Sequence, residues 1–288
     1  MSRIAYVNGR YVPHREAAVS VEDRGFQFAD GVYEVCEVLG GRLVDSRRHL
    51  DRLDRSLGEL RIAPPMGRTA LEIVLRETVR RNRVGDGLVY LQVTRGTARR
   101  DHPFPPAGTP ASLVVTARNS DRALQDAAAA AGVKVITVPE NRWPRVDIKS
   151  VALLPNVLAK QAAKEAGARE AWYVDADGKV TEGASSNAWI VTADGRLVTR
   201  PAIGGILGGI TRAVVFAAAA AAGLSVEERA FTVAEAKAAR EAFITAATTL
   251  VMPVVRIDDA VVGDGRPGAV ASRLRKAFHD FAELAAQA

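Results

Sequence analysis

The chain of 288 residues contains a single cysteine, Cys36. An intrachain disulfide is therefore excluded, and because Cys36 lies among apolar residues typical of a strand, we expect it to pack and not to react. No apolar run approaches the length of a membrane span, and Met1 to Arg10 carries charge but no apolar stretch. We therefore expect neither a membrane segment nor a secretion signal, and the sequence predicts a cytoplasmic protein.

Runs of like charge are also missing. The net charge of +6 and the isoelectric point near 9.7 raise nucleic-acid binding as the non-enzyme alternative. The arginines, however, are spread along the chain beside acids, as in Asp51–Arg55, and the sequence shows no basic tail. This pattern is typical of a solvated surface with helix-spaced ion pairs, so we expect no nucleic-acid partner.

The apolar content of 48% is enough for a sizeable core. We predict a first domain over residues 1–117, a linker over 118–122 and a second domain over 123–288. Asn8-Gly9 predicts a hairpin near the start, and Ser46 is expected to cap a helix over 47–60. Further helices are predicted at 69–82, 154–167 and 266–285, and another opens at Gly204–Arg212 and runs to about Ala222. Strands are predicted at 88–94, 113–116, 189–192 and 197–199. A further strand follows the loop after Glu22 and turns at Gly40-Gly41, and its alternation puts Tyr33, Val35 and Glu37 on one face.

A lysine ends the polar, proline-containing segment Arg142–Ser150, just before the predicted helix that begins at Leu154. Cationic neighbours and partial desolvation favour the neutral amine of Lys149, which is the form that reacts with a carbonyl group. Without further context, a surface cation is the better interpretation of Lys149.

A turn rich in small and hydroxylic residues follows between two predicted strands, in Val180–Val191. Glu182 at its start is placed to pair with a cationic group, and the glycine and serines that follow allow close approach of backbone N–H groups to an anion.

Glycines precede the helix that begins near Ile210, in the segment Gly204–Arg212. The free N–H groups and the positive end of the helix dipole, with the Thr211 hydroxyl, predict a phosphate site. The spacing matches neither a Walker loop nor a dinucleotide fingerprint. A second turn, Phe243–Leu250, offers Thr248 as its hydroxyl, while Ala246 and Ala247 offer only backbone donors.

The segments Asp147–Ser150, Thr181–Asn187 and Glu22–Glu34 together resemble the signature of the fold-type IV pyridoxal-phosphate aminotransferases, and most of all its D-amino-acid branch. The resemblance runs from about Tyr6 to the last helix. It implies a mixed α/β (α+β) architecture with a smaller N-terminal α/β domain and a larger C-terminal pseudo-barrel domain. It also implies pyridoxal 5'-phosphate as cofactor, no metal, and a homodimer.

The resemblance also assigns roles to residues. Lys149 would be the catalytic residue and would bind the cofactor covalently, Glu182 would hold its ring nitrogen, and Arg52 and Thr211 would hold its phosphate. Further cofactor contacts are implied at Ser185, Ser186, Leu207, Gly209, Ile210, Ala247 and Thr248. His49 is expected to be structural.

Tyr33, Arg100 and His102 would bind the substrate carboxylate, with the loop of the last two residues reaching in from the neighbouring subunit. The implied reaction converts D-alanine and 2-oxoglutarate to pyruvate and D-glutamate. The alternatives are a branched-chain L-amino-acid aminotransferase and an aminodeoxychorismate-lyase-like enzyme. These use the same lysine and glutamate but generally lack the Arg100 and His102 pair, so only this loop separates them.

Overall fold

The computed structural model describes residues 3–285, which form two compact units. The first unit contains residues 3–122, 148–152 and 283–285, and the second contains 123–147 and 153–282. Lys149, which the sequence assigned to the C-terminal domain, packs within the first unit. The predicted domain ends at 1–2 and 286–288 lie outside the described residues, and the predicted linker at 118–122 stays a prediction.

The first unit is built on an antiparallel sheet. Its strands are β1 (Ile4–Val7), β2 (Arg10–Pro13), β3 (Gly31–Leu39), β4 (Arg42–Leu43), β5 (Gly87–Thr94) and β6 (Ser112–Asn119). They lie in the order β2-β1-β6-β5-β3-β4. The helices are α1 (Arg24–Phe28), α2 (Ser46–Glu59) and α3 (Arg68–Arg81).

Local sequence explains much of this unit. Asn8 and Gly9 both have positive φ, as a tight hairpin turn requires, so the predicted β1-β2 hairpin is confirmed. Along β3, buried and partly exposed side chains alternate, with Tyr33 and Val35 on the partly exposed face. Cys36 is fully buried in β3, which confirms its packing role.

The start of α2 differs from prediction. Asp45, in the left-handed region at φ 53°, is the residue before the helix, and Ser46 is its first helical residue, so Ser46 is not the cap. The Asp45 carboxylate accepts hydrogen bonds from the Arg48 side chain, at 2.5 Å, and from the Glu283 N–H, at 3.0 Å. Leu50, Leu53 and Leu57 recur at helical spacing along one face of α2, and all three are buried.

The second unit contains a mixed sheet. Its strands are β7 (Val133–Pro139), β8 (Glu170–Val174), β9 (Lys179–Gly183), β10 (Asn187–Val191), β11 (Leu197–Thr199), β12 (Val226–Glu228), β13 (Phe231–Thr232), β14 (Glu241–Ala246), β15 (Leu250–Ile257) and β16 (Ala260–Val261). The order is β12-β11-β10-β14-β15-β7-β8-β9-β13, with β16 paired to β15. The helices are α4 (Arg122–Ala131), α5 (Leu154–Glu165), α6 (Ile210–Ala221), α7 (Val233–Lys237) and α8 (Ala269–Phe281).

The mixed α/β class is thus confirmed, and the differences from prediction are mainly at element ends. The last helix is shorter than predicted, and β6 continues to Asn119, inside the predicted linker. Between residues 3 and 285, no helix is long and apolar enough to cross a membrane. In the same part of the chain, no group of three or more His, Cys, Asp and Glu residues is placed to hold a metal ion.

Candidate active site

Lys149 is held by backbone pairing with β3. The Tyr33 N–H donates to the Lys149 carbonyl and the Val151 N–H donates to the Gly31 carbonyl, both at 3.0 Å. The lysine is partly exposed, and its Nζ lies 4.3 Å from the centroid of the Tyr33 ring. The helix after this segment, α5, begins at Leu154 as predicted, but the sequence did not predict that the segment around Lys149 is extended and pairs with β3.

Tyr33 is the predicted substrate residue that the structure brings against Lys149. Its ring stacks on that of Tyr90, with centroids 5.7 Å apart and planes inclined by 30°. Burial raises the pKa of Tyr90 to about 12, and the Tyr90 hydroxyl donates to Gln92 at 2.7 Å. Tyr90 therefore stays neutral and supports the Tyr33 ring from the side.

Arg52 lies in a buried cluster with Glu34 and His49. It donates from Nε and Nη2 to the two Glu34 oxygens, both at 2.7 Å, and His49 Nδ1 lies 2.7 Å from Glu34 Oε2. Burial raises the pKa of Glu34, but the charge and hydrogen bonds of Arg52 outweigh it and bring that pKa down to about 2. This fork of two bonds fixes the guanidinium of Arg52 rigidly.

His49 is buried and in contact with Glu34, and its structural role stays a prediction. Burial lowers its pKa, and the positive charges of Arg52 and Lys149 lower it further, although Glu34 acts in the opposite direction. The neutral ring donates its Nδ1 proton to Glu34.

Glu34 itself was missed by sequence reasoning. The signal was available: β3 alternates, and an acid at an inward position needs a buried cationic partner.

Arg100 and His102 lie on the loop between β5 and β6, and both are exposed. The guanidinium of Arg100 lies 4.6 Å from the centroid of the Phe28 ring, and the His102 ring centroid lies 5.5 Å from it. The two side chains thus share one aromatic support in the first unit. Their role toward a carboxylate stays a prediction.

In the second unit, Glu182 is buried on β9. Its Oε1 accepts from Arg142 Nη1 at 2.6 Å, and its Oε2 accepts from Asn187 Nδ2 and the Leu207 N–H, both at 3.1 Å. Burial raises the pKa of Glu182 to about 7, and the charge and hydrogen bond of Arg142 keep it from rising further. The predicted pairing of Glu182 with a cationic group is confirmed. Its partner, Arg142, was not identified from the sequence.

Arg142 is shared between two carboxylates. Besides Glu182, it donates to Glu140 from Nε at 2.8 Å and from Nη2 at 2.6 Å, and it lies over the Tyr173 ring. Thr181 Oγ1 also donates to Glu140, at 2.8 Å. Two carboxylates thus share one guanidinium. A further positive charge beside Glu182 would balance the second carboxylate.

The hydroxyls of Ser185 and Ser186 both donate to the buried carboxylate of Glu170, to Oε2 at 2.7 and 3.1 Å. The N–H of Ser185 donates to the same oxygen at 3.2 Å. Glu170 therefore orders this turn. A cofactor contact of these serines stays a prediction.

The predicted phosphate helix is α6, and Gly209 is the residue before its first turn. A Cβ at Gly209 would lie 2.0 Å from Asn187 Oδ1, so a larger residue there would displace the Asn187 amide. Asn187 also donates to the Leu207 carbonyl at 2.9 Å, which ties this segment to the Glu182 strand turn. Thr211 is buried in the first turn, and as glycine offers no side-chain cap, the first N–H groups of α6 remain suited to an anion.

The turn with Ala247 and Thr248 joins β14 to β15, and both residues are partly exposed. Asn187 pairs with Thr245 in the β10-β14 ladder, so this turn follows at the same end of the sheet as the Glu182 turn. The structure therefore gathers Glu182, Asn187, the start of α6 and the Thr248 turn at one end of the second unit.

These groups fit pyridoxal phosphate by their chemistry. Burial opposes the charge of the Glu182 carboxylate, so a protonated ring nitrogen beside it would stabilise that charge, and the Glu182 oxygens have remaining lone pairs to accept its proton. A glycine-started helix suits the phosphate, and a partly exposed amine beside an aromatic ring suits the aldehyde.

Comparison with known proteins gives a consistent result. The family described as amino-transferase class IV matches residues 31–257. The chain is 41% identical over 275 residues to a D-alanine aminotransferase of Bacillus licheniformis, covering 95% of both chains. It is 38% identical over 280 residues to a D-alanine aminotransferase of Staphylococcus haemolyticus, covering 96% of this chain and 97% of the other.

Among solved structures, a T.th. branched-chain amino acid aminotransferase with pyridoxamine 5'-phosphate superimposes with a TM-score of 0.90. The two are 28% identical, and the match covers 97% of this chain and 94% of the other.

Proposed function

The chain belongs to the class IV aminotransferases, and from that premise we propose that it exchanges the amino group between D-amino acids and 2-oxo acids with pyridoxal 5'-phosphate as cofactor. D-alanine and D-glutamate would be the amino donors, and 2-oxoglutarate and pyruvate the acceptors.

The observation that carries the proposal is the environment of Glu182. A carboxylate buried beside Arg142 and one further carboxylate can stabilise a proton on a ring nitrogen that it contacts. When bound, pyridoxal phosphate supplies an aldehyde that takes the amino group and a ring that accepts electrons from the substrate. Glu182 would hold the ring proton in place and so keep the ring electron-accepting.

Lys149 would hold the cofactor covalently between turnovers and, once released by the substrate amine, would remove the proton from the substrate Cα. Its position over Tyr33 supports this role, because the ring restrains the long side chain. Arg52 and Thr211, with the backbone N–H groups of Gly209 and Ile210, would hold the phosphate. Arg52 is suited to this because Glu34 fixes its guanidinium.

Remaining contacts to the cofactor are proposed for the turns that flank these groups, at Ser185, Ser186, Leu207, Ala247 and Thr248. Ala246 and Ala247 leave Thr248 as the hydroxyl of its turn, so backbone N–H groups would carry more of the phosphate contact there.

Two observations favour D-amino acids. The relatives named D-alanine aminotransferase share more identity with this chain than the branched-chain structure does, 41% against 28%. The exposed Arg100 and His102 can both donate to one carboxylate. A branched-chain L-amino-acid aminotransferase is the second candidate, favoured by the TM-score of 0.90.

We also propose a homodimer in which the Arg100 and His102 loop serves the partner's site. Both side chains are exposed in the single chain, as a loop that acts outside its own chain requires. On α5, Leu154, Val157 and Leu158 form an apolar stripe and are each more than half exposed. A second copy of the chain would cover such a stripe. Separately, we propose a cytoplasmic location.

The test is a coupled assay with purified protein, saturating pyridoxal phosphate and 2-oxoglutarate, and D-alanine, L-alanine or L-leucine as donor. The proposal requires pyruvate from D-alanine at a rate well above that from L-alanine. Preferential turnover of L-leucine would support the branched-chain candidate instead. A protein that binds no pyridoxal phosphate would exclude both.

A further inference from the structure

The loop over residues 95–105 is fixed by a buried ionic cluster at its base. Its two proposed substrate residues, Arg100 and His102, are exposed, so their own burial does not set their position. The loop backbone is held from below instead. The Arg24 N–H donates to the Gly96 carbonyl at 2.9 Å, and the Ala98 N–H donates to the Glu22 carbonyl at 3.2 Å.

The guanidinium of Arg24, on α1, makes the next contacts. Its Nη1 donates to the Asp101 carbonyl at 2.7 Å, and its Nη2 is 3.2 Å from the His102 carbonyl. These two carbonyls directly follow Arg100 in the chain. The side chain of Arg24 is only 5% exposed, so its charge is shielded from water and must be paired.

Asp30 pairs that charge. Its Oδ2 accepts from Arg24 Nε at 2.8 Å, and the same carboxylate accepts from Arg95 Nε at 2.7 Å and from Arg95 Nη2 at 2.9 Å. Burial raises the pKa of Asp30, but the hydrogen bonds and charges of Arg95 and Arg24 outweigh it and lower that pKa. Asp30 is therefore anionic and holds two guanidinium groups in fixed orientations.

Arg95 extends the cluster to the first residue of the loop and beyond. It donates to the Leu60 carbonyl at 2.8 Å and to the Arg61 carbonyl at 2.9 Å, just past the end of α2. Its guanidinium also lies 3.7 Å from the centroid of the Phe104 ring, near the end of the loop. One carboxylate thus organises contacts at the start, the middle and the end of the loop.

From this arrangement we propose that Asp30 is a positioning residue for substrate recognition: through Arg24 and Arg95 it fixes the 95–105 loop, and with it Arg100 and His102. This inference rests on the proposed function, because it assumes that the loop binds the substrate carboxylate. Asp30 touches neither substrate nor cofactor in this role. It sets the position of donors that have to meet a carboxylate with good geometry.

The test is Asp30→Asn, which keeps the shape of the side chain but replaces one carboxylate oxygen by an NH₂ group. This group would face an arginine, and because an arginine side chain has no acceptor, the hydrogen bond there is lost. The matched control is Asp54→Asn, which removes an exposed carboxylate bound to Arg68. We expect Asp30→Asn to raise KM for both D-alanine and 2-oxoglutarate on the order of 10- to 100-fold. The kcat and the cofactor spectrum should stay within about twofold of wild type.

A second measurement does not depend on activity. Trypsin cleavage after Arg99 or Arg100, followed by mass spectrometry of the intact protein, reports local opening of the loop. We expect cleavage about tenfold faster in Asp30→Asn and unchanged in Asp54→Asn. Arg24→Lys keeps a charge for Asp30 but loses the fork of donors that reaches two carbonyls, so it should also speed cleavage. This variant replaces Asp30→Asn if the latter fails to fold.

The outcomes are distinct. Cleavage unchanged in both Asp30→Asn and Arg24→Lys would show that the cluster does not fix the loop and would overturn the inference. Faster cleavage with unchanged KM values would overturn its link to substrate binding. If wild type itself shows no transamination of D-alanine, the proposed function fails, and the cleavage rates still decide whether Asp30 fixes the loop.

Discussion

The Nζ of Lys149 lies 4.3 Å from the centre of the Tyr33 ring, while the N–H of Tyr33 donates to the Lys149 carbonyl. Each residue therefore positions the other, by backbone pairing and by a cation–π contact. This pair connects a lysine far along the chain to the start of β3, and it fixes the amine that we propose to bind the cofactor.

Replacement of Lys149 by alanine should abolish the covalent bond to pyridoxal phosphate and nearly all transamination, because no other group is assigned to remove the Cα proton. Borohydride reduction followed by mass spectrometry measures the bond. Lys164→Ala, at an exposed position of α5, is the control and should keep both properties. A covalent adduct retained in Lys149→Ala would assign the bond to another lysine.

Replacement of Glu182 by glutamine should leave the cofactor bound but slow the half-reaction with D-alanine on the order of 100-fold or more. A neutral amide does not stabilise the ring proton. The substitution also removes one of the two carboxylates that bind Arg142 and leaves Glu140. Stopped-flow absorbance during a single half-reaction is the measurement. An unchanged rate would remove Glu182 from the mechanism.

Glu34→Gln tests the buried cluster below Arg52. The pKa of Glu34 falls from 4.5 to about 2 in the folded chain, which corresponds to about 3 kcal/mol of stability. Because the folded pKa is depressed, this contribution is complete above pH 4.5 and is lost as pH falls toward 2.

Urea unfolding at several pH values measures this difference between wild type and Glu34→Gln. We expect the gap in the free energy of unfolding to be largest near pH 7 and to shrink between pH 4.5 and 2. The variant should also bind pyridoxal phosphate more weakly, since Arg52 loses its fixed orientation. A gap that is constant with pH would show that the charge of Glu34 does not stabilise the fold.

Arg100→Ala should raise KM for amino and oxo acids by an amount equivalent to about 1.5–3 kcal/mol, the usual effect of losing a charge-assisted hydrogen bond. Cofactor binding should hardly change. If the loop crosses a dimer interface, mixing Lys149→Ala chains with Arg100→Ala chains should restore part of the activity, because one hybrid site then carries both intact groups. Verified heterodimers without recovered activity would assign the loop to its own chain.

The sequence predicted the parts of the site that depend on local pattern. Asn8-Gly9 specified the first hairpin, alternation along β3 placed Tyr33 on its partly exposed face, and the glycine before Ile210 marked the start of α6. These features are set by backbone geometry and by period, which a single sequence carries.

The partners of those residues were not predictable in the same way. Nothing local shows that Arg142 is shared by Glu140 and Glu182, or that Asp30 joins Arg24 to Arg95. Such contacts join residues far apart in the chain, and they depend on sheet order and register. The backbone pairing of Lys149 with β3, which places it in the first unit, was missed for this reason.

The most direct test is the absorption spectrum of the purified protein, loaded with pyridoxal phosphate, before and after D-alanine is added without any oxo acid. We predict loss of the long-wavelength cofactor band with D-alanine, release of one pyruvate per site, and little change with the same concentration of L-alanine. Equal or faster loss of the band with L-alanine would contradict the assignment of this enzyme to D-amino acids.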